Sequence, residues 1–169
     1  MNVQEILISQ HRASLRMLLS AVEACPESLW TDDSYKNRTW HVAYHAILYT
    51  HLYLGRSPEA IVPWEKARPD YHYLGQKPLP PHEEPKIGEP YTKGEILEYG
   101  RVVSATVGPL VHALPLDGPS GFPWLPFSRM ELHIYSIRHV QHHSGQIIDR
   151  IRVRSGVGIG WTGMVRGED

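Results

Sequence analysis

The stretch RHVQHHSGQ, Arg138 to Gln146, puts three histidines into five residues of an otherwise ordinary chain. Read as a helix turning about 100° per residue, it sends His139 and His143 only about 40° apart and leaves His142 on their flank. Leu132, Tyr135, Val140 and Ile147 lie beside the pair, so the spacing predicts a helix that turns both imidazoles toward other helices. Ser136, Gln146 and Arg150 share that face, as polar groups around a site would. A lone histidine there would be read as a core residue satisfied by its neighbours. Two stacked on one inward face favour ligands.

Three more helices surround this one. Val3, Ile6, Leu7, Leu15, Leu18, Leu19 and Val22 recur at three and four, and Asn2 with Glu5 resembles a cap. A second helix, NRTWHVAYHAILYTHLYLG, is expected to end on a left-handed Gly55, with Pro26 and TDDS as the linker before it. Thr92 with Glu95 and Ser128 with Glu131 have the spacing of capping boxes and open two further helices. The third runs to about Ala113, with a kink or early end expected at Gly108 and Pro109; the fourth runs from Arg129 to about Arg152. The fold class that follows is all-α, a four-helix bundle in one domain, residues 1–169. Between the second and third helices, Gly55 to Tyr91 holds 8 of the 14 prolines and must cross the surface as a long connection. Its aromatics suggest a packed cover. The Gly-rich end GVGIGWTG follows a helix and lacks a phosphate-loop lysine, so it reads as an apolar tail docking through Ile159 and Trp161.

Composition prunes the functions. The 17 Lys plus Arg against 18 Asp plus Glu, net charge -1, leave no electrostatic footprint for nucleic acid or anionic membranes. A small-molecule substrate is expected instead. One cysteine, Cys25, closes no intrachain disulfide and reads as a small buried residue; with no signal-like start, a cytoplasmic location is expected. Histidine is the unusual count: 11, of which 6 fall in the two helical segments around His45 and His139.

His41 and His45 repeat the spacing of four on the second helix, with Leu48, Tyr49 and Leu52 on their side. Two imidazoles from one helix and one or two from another can meet across a bundle and bind a borderline divalent ion, leaving positions open for water or substrate. Neither HVAYH nor HVQHH has the glutamate of HExxH, and no Glu-x-x-His repeats are present, so zinc-protease and di-iron chemistry are excluded. Three imidazoles suit zinc or nickel first, then iron or copper. Because only neutral imidazole binds, affinity is expected to fall below about pH 6.5.

These residues resemble the DinB/YfiT-like four-helix metalloproteins. Their last helix carries an Asn-His-x-x-His-His-x-Gly-Gln signature, matched by RHVQHHSGQ except for Arg138 and Ser144, and their second helix carries one ligand histidine before an apolar stretch, as in HAILYTHLYL from His45. The resemblance implies a metal triad of His45, His139 and His143, with His41, His142 and Gln146 around it. It also implies metal-dependent transfer chemistry using a low-molecular-weight thiol such as bacillithiol or mycothiol. A metal-activated hydrolase and a non-catalytic metal or small-ligand-binding stress protein are the alternatives. Trp40, Ile47 and Leu54 lie opposite His45, which makes the second helix apolar nearly all round and suggests a homodimer there, unless the long connection covers it.

Overall fold

The computed structural model describes residues 2–167, and they are all-helical: α1 Val3–Ala24, α2 Glu27–Trp30, α3 Thr39–Leu54, α4 Lys93–Ala113 and α5 Arg129–Ser155, with one 3-10 turn at Pro58–Ala60. Among the described residues there is no strand, only a single bridge between Pro119 and Ser128. The short α2 was not expected in the linker; Pro26 starts it, as proline does where no donor is needed.

Helix starts follow the caps. The Asn2 side chain accepts from the Gln4 and Glu5 amides, Thr92 and Glu95 form a full capping box, and Ser128 accepts from the Glu131 amide. Two expectations fail. α4 runs unbroken through Pro109, where burial of Val103, Val107 and Val111 outweighs one lost backbone bond. Gly55 is extended, at φ -72 and ψ 168, rather than left-handed. The buried Arg129 guanidinium donates to the Gly55 carbonyl at 2.6 Å and the Arg56 carbonyl at 3.0 Å, so the exit of α3 needs no left-handed turn. Gly121 packs against the same corner at φ 87, where a Cβ would lie 1.9 Å from the Arg56 oxygen. Only glycine fits there.

Contacts along the helices fix their directions. His11 meets His133 and Met17 meets Gln141, so α1 and α5 run parallel. Leu19 packs at Gly100 and Gln4 reaches the Val111 carbonyl, which makes α4 antiparallel to α1. Asn37 meets Arg150 and Gly55 meets Arg129, so α3 is antiparallel to α5. α3 and α4 are therefore parallel. The chain leaving α3 must travel back along a helix of 16 residues, about 24 Å, before α4 can begin, and this is the physical reason for the long connection.

That connection is packed. Trp64 stacks on Tyr99 at 4.6 Å between ring centroids, Tyr91 lies 4.8 Å from Tyr44, Tyr71 packs on Trp40, and Trp30 Nε1 donates to the Tyr91 carbonyl at 2.8 Å. Trp40, Ile47 and Leu54 are buried within the single chain. The long connection covers this face of α3, so its apolar residues need no second copy for cover. At the other end, Ile159 packs on the core but Trp161 is 74% exposed, and Val165 is the buried anchor of the tail. Among the described residues no helix is long and apolar enough to cross a membrane.

Candidate metal centre

His45 on α3 and His139 and His143 on α5 converge on one point. The Nε2 of His139 lies 3.1 Å from the Nε2 of His45 and 3.1 Å from that of His143, and the three ligand atoms all lie within 4.8 Å of one another. Among the described residues no fourth His, Cys, Asp or Glu joins the group. His143 is buried, and His45 and His139 are half-buried.

The outer nitrogens decide what the inner ones can do. His45 Nδ1 lies 2.6 Å from the His72 carbonyl, an oxygen that can only accept, so Nδ1 carries the proton. Likewise His143 Nδ1 donates to Gln146 Oε1 at 2.9 Å. Burial holds all three rings neutral: it pushes His45 down to about 3 and His139 down to about 4, with neighbouring imidazoles adding to the effect, and it lowers His143 as well. Each of His45 and His143 thus presents a bare Nε2 lone pair to His139. Even if His139 carries its proton on Nε2, it can satisfy one of the two, and the other contact sets lone pair against lone pair. A divalent ion removes that repulsion. Bonds of about 2.0–2.1 Å at tetrahedral angles would space zinc-bound nitrogens about 3.3 Å apart, close to the two contacts of His139 at 3.1 Å, while the group as a whole spans up to 4.8 Å and would draw His45 and His143 together on binding.

Burial also moves the pH expectation. With the ligands well below the ordinary histidine value, protons compete for them well under pH 6.5 rather than from that point.

His41 does not reach the triad's nitrogens through a hydrogen bond; its Nε2 pairs with the Tyr71 carbonyl at 2.8 Å, and burial lowers its pKa. Gln146 bridges His143 to the exposed His142, its Nε2 lying 3.1 Å from His142 Nε2. Two contributors were not recognised from the sequence. The connection supplies backbone carbonyls, which leave no residue-type signal. Tyr49, already placed on the His45 side, forms a wall with its ring 4.6 Å from His45 and 5.7 Å from His139. Burial among Tyr73 and Tyr135 pushes its phenol up to about 12, so it stays neutral. Cys25 is buried at the end of α1, and burial pushes its thiol up to about 11, an unreactive state.

Of the three, His139 also borders a surface cleft of about 500 Å³ that is lined by Tyr135, Arg138, His139, Gln141 and His142. Comparison with protein-family models, curated proteins and solved structures finds no match to this chain.

Proposed function

We propose that this chain is a DinB/YfiT-type metalloprotein in which His45, His139 and His143 hold one divalent ion, zinc or nickel before iron, and that it is a metal-dependent transferase acting on a low-molecular-weight thiol. The observation that carries the reading is the convergence of three Nε2 atoms, two of them fixed as lone pairs by outward acceptors, with no fourth side-chain ligand among the described residues. An ion with three protein ligands keeps a position for an exogenous group, and when bound it lowers the pKa of a thiol or water placed there.

The protein's own part is orientation and enclosure. The His72 carbonyl and the Gln146 amide fix the tautomers of His45 and His143. Tyr49 and the connection close the inner side, while His139 borders the open cleft. With Cys25 buried and its thiol pushed up, no cysteine of the chain supplies the nucleophile, which fits a thiol brought in from outside.

The test is a thiol-dependence assay on metal-loaded protein with a panel of electrophiles. Consumption of one thiol per electrophile, above the rate with free metal, is the expected result. Turnover of esters or amides independent of thiol would replace the transferase with a hydrolase. No rate above free metal in either assay would leave a binding protein.

A further inference from the structure

The cleft beside His139 has a chemical sign. Arg138 and His139 stand three and four residues after Tyr135, and His142 stands four and three after them, so the four form a single broad stripe along α5, and Gln141 borders it. No carboxylate lines the cleft. The nearest acidic residue before it on this helix, Glu131, stands seven residues from Arg138, about 10 Å along the axis, and the two form no ion pair. Arg138 is exposed and makes no hydrogen bond or ion pair among the described residues. His142 adds a second donor. Gln146 gives its Oε1 to His143 and so donates through Nε2 to His142 Nε2, which leaves the His142 ring proton on Nδ1, where it has no partner.

From this placement we infer that the ligand of the metal centre is a small oxyanion-bearing molecule, its anionic group held by Arg138 and His142 while its donor atom reaches the triad. This rests on the metal reading above. A guanidinium presents a planar fork that matches a carboxylate or a phosphate group in two parallel hydrogen bonds. Arg138 and His142 are separated by one helical turn, about 6 Å, and His139 lies between them in sequence, facing the triad.

The experiment uses the full chain loaded with cobalt(II), whose absorption reports ligands entering its coordination sphere. Cobalt is first titrated alone; failure to bind one equivalent would remove the metal reading and this inference with it. Dissociation constants are then measured for 3-mercaptopropionate, 2-mercaptoethylphosphonate, neutral 2-mercaptoethanol and cationic cysteamine. A matched pair of hydroxamates, one ending in a carboxylate and one in a methyl group, repeats the comparison without a thiol. The anionic ligands should bind about fivefold more tightly than the neutral ones, the scale of one exposed ion pair. Arg138→Gln should erase that ratio without changing the 2-mercaptoethanol constant, and Arg138→Lys should restore part of it. Salt at about 1 M should also flatten the ratio. Whichever anion gains more from Arg138 identifies carboxylate or phosphate as the natural group. With cobalt bound, equal affinities for anionic and neutral ligands, or an unchanged ratio in Arg138→Gln, would overturn the inference and leave the metal centre standing.

Discussion

Two groups of buried histidines lean on α5, and they differ in where their spare nitrogens point. His11 on α1 and His133 on α5 are more deeply buried than the triad, and they too touch through ring nitrogens, Nε2 to Nδ1 at 3.2 Å with the rings edge-on. One of those nitrogens can carry a proton and the other accept it. The contact is a complete hydrogen bond; the buried His11 Nδ1 stays without a hydrogen-bond partner, but no cluster of ligand groups faces it among the described residues. In the triad the His72 carbonyl and Gln146 draw the protons outward, so that lone pairs face inward. Burial and contact are common to both groups. The outward acceptors make the difference, and they set the chemistry available to each.

The comparison breaks most sharply under substitution. His139→Ala or His143→Ala should weaken metal binding by more than the roughly 10–100-fold that loss of an outer partner costs, as read by metal analysis of protein purified without a histidine tag. His11→Ala should keep one metal per chain yet lose about 2–4 kcal/mol of stability, from the cavity and from the partner left behind, as read by urea unfolding. Loss of metal in His11→Ala without unfolding would erase the distinction. The next largest effect belongs to Gln146→Ala, which frees His143 to turn over its tautomer. Competition with a chromophoric chelator should find metal affinity lower by about tenfold, with metal-free stability nearly unchanged because Gln146 is exposed.

pH separates the two groups in a different way. Burial pushes His11 down to about 3, helped by His133, and pushes His133 down to about 4, helped by Arg129. The unfolded chain takes up protons on these rings near pH 6.5, and the folded chain does not. Metal-free protein should therefore have its full stability from this pair above pH 6.5 and lose it progressively as pH falls toward about 4, seen as a falling urea midpoint. Loaded protein should still hold metal at pH values just below 6.5, because His45 and His139 titrate far lower. Metal release centred at the ordinary histidine value would contradict the burial of the site. The smallest effect is expected from the exposed His142→Ala, which should retain metal fully in the same analysis.

Much of this was legible in residue spacing. The capping pairs Thr92–Glu95 and Ser128–Glu131 marked two helix starts because their chemistry is local, and His139 with His143 could be placed on one face because a helix has a fixed turn. His45 came from the resemblance; spacing alone left it open with His41. The carbonyls of Tyr71 and His72 were invisible, since any residue type offers the same oxygen. The His11–His133 pair joins residues 122 apart on different helices, a separation that no periodicity encodes. Gly55 misled because Arg129, remote in sequence, took over the carbonyl that a left-handed turn would have served. Trp161 misled because apolar character does not say which residue of a tail finds the groove, and Val165 did.

X-ray absorption on the zinc-loaded full chain tests the central claim most directly, since it reads the number and kind of atoms around the ion. The account predicts one zinc per chain with three imidazole nitrogens at about 2.0–2.1 Å and a remaining oxygen ligand from water, and the loss of that shell in His139→Ala. A shell of sulfur or carboxylate oxygen, four imidazoles with no exchangeable ligand, or an unchanged shell in His139→Ala would contradict it.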